Sequence, residues 1–331
     1  MRAVVITAPG EVEVATLADP APEPREVVVA VAACGICGTD LHILDGAVGG
    51  PLPLVPGHEF AGEVVAVGAA VTEVAVGDRV AVDPNIHCGE CHWCRRGRGN
   101  LCERYAALGV TTAGGAADFA VAPVACCVRL PDGVDLADAA LIEPLSCAVR
   151  GFDVLQTRLG DHVLIYGAGT MGLMNLALAR RAGAVSVDVV DLNPARLEAA
   201  LALGARAAVA DASEIPMPYG WDRVIDCTGA IAAIEDGLDR VGRGGTFLQF
   251  GVTREDAVAR WSPHRVYRDE ISIVGSMAVL HSFERAAELF AAGAVDPRAL
   301  ISDRFPLEGY GDAIAQFRQG VGRKLQVAPG R

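Results

Sequence analysis

The hexapeptide Gly167-Ala168-Gly169-Thr170-Met171-Gly172 limits what this chain can fold into more than any other stretch. It follows the apolar run Val163-Leu164-Ile165-Tyr166 and opens a Leu- and Ala-rich helical segment, Leu173 to Ala182. Strand, glycine turn and helix in that order make a βαβ unit, and the helix N-terminus is suited to a diphosphate. Gly167 makes the turn, Gly169 lets a pyrophosphate approach the backbone, and Gly172 lets helix pack on strand. Thr170 and Met171 complete the candidate cofactor loop. Asp191 stands at the end of the next strand, Val185 to Val190. An acidic group there accepts from adenosine ribose hydroxyls and repels a 2′-phosphate, which favours NAD over NADP. Arg196, a little further on, softens that preference. The plainer alternative is a glycine turn in a βαβ unit that binds nothing.

The alternation continues beyond this motif. Pro194 to Leu203 and Ala230 to Val241 read as helices, Val224-Ile225 and Phe247-Leu248 as strands, and Ile271-Ser272-Ile273-Val274 as an edge strand. Strands alternating with helices imply a parallel sheet. The first third has a different texture. Val27 to Val31, Gly62 to Gly68 and Gly77 to Val82 are short strands with glycine and aspartate turns, the pattern of a β-barrel-like unit. Asp19-Pro20-Ala21-Pro22-Glu23-Pro24 is a stiff connector. Two helical patterns, near 282–293 and 308–319, close the chain. A length of 331 residues fits two domains.

Composition narrows the partners. The formal net charge of −13 argues against a nucleic-acid or anionic-membrane binder, which needs a positive footprint. No apolar run approaches the roughly 18 residues of a membrane span. Glu11 and Glu13 interrupt the apolar start too early for a signal peptide, so a cytoplasmic location is expected. Arginine carries nearly all the positive charge. The single lysine, Lys324, reads as codon usage rather than chemistry.

Four of the ten cysteines crowd together as Cys88, Cys91, Cys94 and Cys102, spaced C-x2-C-x2-C-x7-C among Gly89, Gly97 and Gly99. Four thiolates at such spacing wrap one Zn²⁺ tetrahedrally and leave no open position, so the ion is structural. An iron–sulfur cluster is the chemical rival. His87 and His92 are bystanders to a saturated metal. Cys34, Cys126, Cys127, Cys147 and Cys227 are assigned no role. A third set is dispersed: Cys37-Gly38-Thr39-Asp40-Leu41-His42, Gly57-His58-Glu59 and Ile142-Glu143-Pro144. Each is weak alone. Together they supply a thiolate, an imidazole and two carboxylates, the ligand types of a catalytic zinc with an open position.

The order of these motifs, Gly35 to His42, Gly57 to Glu59, the cysteine lobe and the nucleotide fingerprint, resembles the zinc-dependent medium-chain dehydrogenases/reductases over essentially the full length. Ile142-Glu143-Pro144-Leu145-Ser146 and Arg304-Phe305-Pro306-Leu307-Glu308 resemble the polyol (sorbitol-type) branch. The resemblance implies an α/β architecture. A GroES-like β-barrel catalytic domain (residues 1–149 and 280–331) carries the zinc lobe near 83–104. A Rossmann doubly wound parallel-sheet domain (150–279) binds the dinucleotide.

It further implies Cys37 and His58 as zinc ligands, Glu59 or Glu143 as the third contact, and two zinc ions per chain. The zinc polarises an alcohol that gives hydride to NAD, while Thr39 and His42 carry the proton away. Homodimers or homotetramers joined through the edge strand near Ile271 to Val274 are expected. Two positions depart from sorbitol dehydrogenases: Ile43 replaces a tyrosine and Ala278 an arginine that contacts the polyol. Both changes imply a less polar pocket and a shorter or partly apolar secondary alcohol. L-Threonine or a cyclitol or amino-cyclitol is the alternative substrate within the superfamily. A zinc-lobed regulatory binding protein is the remote alternative.

Overall fold

A computed structural model of the chain describes residues 1–330; Arg331, which falls in the expected catalytic domain, lies outside the described residues. Two compact units result. The first contains residues 1–146, 278–293 and the chain from Ile301 onward, and the second contains residues 147–277 and 294–300. Residues 294–300, expected in the catalytic domain, thus cluster with the second unit.

The first unit opens with an antiparallel hairpin, β1 (Arg2–Ala8) and β2 (Glu11–Thr16). Then come β3 (Glu26–Gly35), helix α1 (Gly38–Leu44), β4 (Glu59–Val67) and β5 (Arg79–Val82). The two-residue strands β6 (Asn85–Ile86) and β7 (Ala106–Ala107) pair across the base of the cysteine lobe. β8 (Phe119–Pro123) and β9 (Cys127–Arg129) follow. Helix α2 (Ile142–Leu155) spans the junction of the units.

In the second unit strands and helices alternate: β10 (His162–Tyr166), α3 (Thr170–Arg181), β11 (Ser186–Val190), α4 (Pro194–Ala202), β12 (Ala207–Val209), β13 (Trp221–Asp226), α5 (Ile231–Arg240), β14 (Val241–Gln249), α6 (Pro263–Arg268) and β15 (Ser272–Gly275). The chain then returns through α7 (Phe283–Ala291), α8 (Pro297–Leu300), β16 (Ile301–Phe305), α9 (Tyr310–Arg318) and β17 (Lys324–Val327).

The first unit is built on a seven-stranded sheet ordered β16-β17-β3-β4-β5-β9, with β8 also pairing β3. β3 is its spine. Its apolar run is buried along most of its length because β4, β8 and β17 all pair with it. Valines and β-branched neighbours suit such a doubly covered strand. The second unit is a six-stranded sheet, parallel throughout, ordered β12-β11-β10-β13-β14-β15. Its strand order reverses direction at β10, the switch point where open α/β sheets bind ligands. β15 ends the sheet, with Ser272, Ile273 and Gly275 exposed. Among the described residues no helix is long and apolar enough to cross a membrane.

Candidate metal and dinucleotide sites

In the cysteine lobe, Sγ of Cys88 lies 3.9 Å from Cys94 and 3.5 Å from Cys102, and Cys91 lies 3.9 Å from Cys102. A tetrahedron with Zn–S of about 2.3 Å has edges of about 3.8 Å. Disulfides need about 2.05 Å, so these sulfurs are arranged for a metal. Backbone donors around Glu90 and then Arg104 draw the Cys88 thiol down to about 6, while desolvation and the neighbouring thiol of Cys91 push Cys94 up to about 12. Four thiolates this close repel one another, and a divalent metal would remove that conflict. Gly97 closes a turn at φ 71°, and its carbonyl lies 3.2 Å from Nε2 of His281.

The second cluster forms at the end of the β-sheet spine. Cys37 follows β3 and precedes α1, while His58 immediately precedes β4 and Glu59 opens it. The register pairs Gly35 with Glu59 on one side and with Gln326 of β17 on the other. Gly35 is required by close approach, since a Cβ there would sit 2.0 Å from Oε2 of Glu59. Gly57, at φ 94°, turns the chain into His58, and a Cβ would meet Sγ of Cys34 at 2.5 Å. As a result Cys37, His58 and Glu59 each offer a ligand atom, all within 4.8 Å of one another.

Lys324, the lysine set aside on sequence grounds, is central to this cluster. Its Nζ donates to Oε1 and Oε2 of Glu59 at 2.8 and 2.6 Å and to the Ile36 carbonyl at 3.0 Å. All three ammonium hydrogens are thereby used. Both partners are buried, at 4% and 1% exposure. Burial alone would lower the lysine, but the charge of Glu59, with Cys37 and Glu143, leaves it raised above 10.5.

Asp40 is buried and its Oδ2 accepts from the Cys37 backbone N–H at 2.8 Å, which fixes the start of α1. Its Oδ1 lies 3.7 Å from Nδ1 of His58. Burial disfavours a protonated His58, yet Asp40, Cys37 and Glu143 together hold its proton well above the usual imidazole range. Cys37, Asp40, Glu59 and Glu143 thus face the single fixed cation of Lys324. That excess of negative donors fits a divalent metal, which would take the place of the imidazole proton.

Glu143, in the first turn of α2, is 8% exposed and acts on His58 and Lys324 through its charge, but it is outside the three-residue ligand group. Oγ1 of Thr39 lies 3.9 Å from Sγ of Cys37. His42 is exposed in the last turn of α1. Ile43 is 1% exposed and packs in the barrel core. Ala278 is half-buried with φ 48°.

The glycine fingerprint sits in the second unit at the switch point. Gly167 adopts φ 96°, and α3 begins at Thr170 with Gly169 as its N-cap. Asp191 directly follows β11. Its carboxylate accepts from Ala168 N at 2.7 Å and Asn193 N at 2.8 Å, so it also holds the glycine turn in shape. A Cβ on Gly172 would stand 1.7 Å from the Gly167 carbonyl, whereas a Cβ on Gly169 meets only Nη1 of Arg196, at 4.0 Å. Gly172 therefore serves internal packing, and Gly169 keeps the face of the turn open for a ligand.

This contrast gives a paired prediction. Gly172→Ala should destabilise the protein by about 1–3 kcal/mol through overpacking. Gly169→Ala should leave the melting temperature within a degree or two but weaken dinucleotide binding at least about tenfold by blocking backbone approach. Thermal melts and cofactor titration of both variants separate the two roles.

One element of this site escapes motif reading. Asp226, at the end of β13, is fully buried and accepts from Thr228 N and Oγ1, Gly229 N and Gln249 Nε2 at 2.6–3.0 Å. It pins the loop 226–229 beside the glycine turn, where Cγ2 of Thr228 comes within 3.0 Å of a Cβ position on Gly167. The available signal was an apolar strand running into Asp226-Cys227-Thr228-Gly229.

Comparison with known proteins places these sites in context. Residues 23–132 match the alcohol dehydrogenase GroES-like domain, and residues 170–292 match the zinc-binding dehydrogenase family. D-arabinitol dehydrogenase 1 of Uromyces fabae is 35% identical over 315 residues, covering 92% of this chain and 90% of its own. Sorbitol dehydrogenase of Bacillus subtilis (strain 168) is 34% identical over 347 residues, covering 99% and 96%. The crystal structure of a zinc-binding dehydrogenase from Sinorhizobium meliloti 1021 bound to NADP superimposes with a TM-score of 0.95 at 34% identity, covering 99% of both chains.

Proposed function

The chain belongs to the zinc-dependent medium-chain dehydrogenase/reductase family, in its polyol branch, and from that premise we propose that it oxidises a polyol or related secondary alcohol with NAD as hydride acceptor. The observation that carries this reading is the convergence of Cys37, His58 and Glu59 on one buried point.

In the proposed site Cys37, His58 and Glu59 hold a zinc ion. A carboxylate oxygen that accepts from Lys324 retains a lone pair for the metal. Glu143, whose charge acts on His58 and Lys324, would be the alternative carboxylate contact. When bound, zinc supplies a Lewis acid that lowers the pKa of an alcohol near neutral pH. Thr39, beside Cys37, takes the hydroxyl proton, and exposed His42 delivers it to solvent. Asp40 orients His58. Cys88, Cys91, Cys94 and Cys102 hold a second, structural zinc.

Asp191 supports NAD over NADP, since its carboxylate stands where a 2′-phosphate would meet negative charge. Arg196 is near enough to the turn to temper that preference, and the NADP-bound relative makes the comparison worth measuring. The exposed edge β15 supports self-association into a dimer or tetramer.

The test is NAD(P)H formation with pentitols, hexitols, simple secondary alcohols, cyclitols and L-threonine, each with NAD or NADP and with or without a chelator. Chelator-sensitive, NAD-dependent turnover of the polyols is expected. Turnover of threonine alone would overturn the substrate class. Thr39→Ala should lower kcat by about a hundredfold with zinc content unchanged.

A further inference from the structure

Two carboxylates stand at the ends of the strands that flank β10. β10 pairs with β11 on one side and β13 on the other, and Tyr166, the residue before the glycine turn, is level with Val190 and with Asp226. On the β11 side Asp191 holds the turn directly, through Ala168 N. On the β13 side Asp226 is fully buried. Its Oδ1 accepts from Thr228 N at 3.0 Å and Thr228 Oγ1 at 2.6 Å, and its Oδ2 from Gly229 N at 3.0 Å and Gln249 Nε2 at 2.9 Å. Four donors fill the acceptor sites of one carboxylate, so Asp226 has nothing left to offer a ligand. What it holds is the loop, and the loop lies on the turn. Cys227 N donates to the Tyr166 carbonyl at 2.8 Å. A Cβ on Gly167 would meet Cγ2 of Thr228 at 3.0 Å and the Cys227 carbonyl carbon at 3.4 Å. On α3, Nδ2 of the buried Asn175 donates to the Met171 carbonyl at 2.8 Å and to Sγ of Cys227 at 3.6 Å. Gln249 ties in the end of β14, since its Nε2 also donates to the Gly251 carbonyl at 2.7 Å.

We propose that Asp226 is a positioning residue for the dinucleotide: it fixes the 227–229 loop against the glycine turn, so that the turn is braced from β11 by Asp191 and from β13 by Asp226. Open α/β sheets bind ligands outside the C-terminal ends of their strands at such a switch point. A backbone site of this kind binds well only where surrounding hydrogen bonds hold it in the bound geometry. An asparagine at 226 is nearly isosteric but turns an amide NH2 toward N–H donors, and part of the anchorage is lost. The inference rests on the dinucleotide reading of the Gly167–Gly172 turn, and its test includes a readout that needs no dinucleotide.

The experiment compares Asp226→Asn, Thr228→Val and the double variant with wild type in the full-length chain. Thr228→Val keeps the side chain's shape and removes only the hydroxyl's bonds, to Asp226 and from Ala230 N, so it stays informative if Asp226→Asn folds poorly. NADH affinity is measured by fluorescence titration, and KM for NAD and kcat on the alcohol that wild type oxidises best. Hydrogen exchange of the turn is followed on cofactor-free protein. Positioning predicts that either single variant weakens NADH binding and raises KM for NAD about tenfold, the scale of one lost hydrogen bond to a charged group. At saturating NAD, kcat should stay within about twofold of wild type. The double variant should be less than additive, and exchange at Gly167 and Ala168, whose N–H groups are bonded in wild type, should speed up in each variant. Unchanged NADH affinity in Thr228→Val, or a loss of kcat at unchanged KM that follows the folded fraction, would overturn the proposal. Wild-type protein that binds neither NADH nor NADPH would instead overturn the dinucleotide reading, and the exchange data would still decide whether Asp226 braces the turn.

Discussion

Lys324→Met is expected to destabilise the metal-free protein by about 3–5 kcal/mol, the usual cost of stranding one member of a buried ion pair. Glu59 would be left with its charge at 1% exposure and without the chain's single lysine ammonium. Methionine matches the lysine stem in volume, so lost packing adds little. The pair variant Lys324→Met with Glu59→Gln should recover much of that loss, because removing both charges removes the desolvation penalty as well.

The pH sign follows from the raised lysine. Its contribution to stability is fully present below the unfolded lysine value of about 10.4 and disappears only as pH climbs through the higher folded value. Across neutral pH the pair is therefore constant. Denaturant melts of wild type and the two variants at pH 7 and above pH 10 test both statements. A Lys324→Met protein as stable as wild type would remove the pair from the account.

The second large effect concerns the lobe. Cys94→Ser should cost about one equivalent of zinc per chain. Two-residue strands β6 and β7 are the only sheet closing this segment, too short to hold it without the metal. Residues between them should become the first site of limited proteolysis, with the rest of the first unit's sheet still protected. Metal analysis beside proteolysis followed by mass spectrometry checks this. Full zinc content with an uncut lobe would contradict the four-sulfur assignment.

These two predictions mark what sequence reading reaches. The grouping of the lobe's sulfurs was legible because its four cysteines are close in sequence and cysteines so spaced have few other uses. The glycine turn was legible because strand, turn and helix are contiguous. Cys37, His58 and Glu59 were legible as residue types, and their convergence follows from the β3–β4 register. Lys324 was not: it is 265 residues from Glu59, and only the docking of β17 beside β3 brings them together. Asp226 was passed over because a buried carboxylate serving backbone N–H groups has no spacing signature.

The central claim is that Cys37, His58 and Glu59 hold a zinc ion used in alcohol oxidation. The most direct measurement is zinc content, cofactor affinity and polyol turnover of Cys37→Ala beside wild type. The account predicts about two zinc ions per chain in wild type and about one in the variant. NAD binding should be retained, and NADH formation should fall at least about a thousandfold. Wild-type turnover in Cys37→Ala, or equal zinc content in the two proteins, would contradict it.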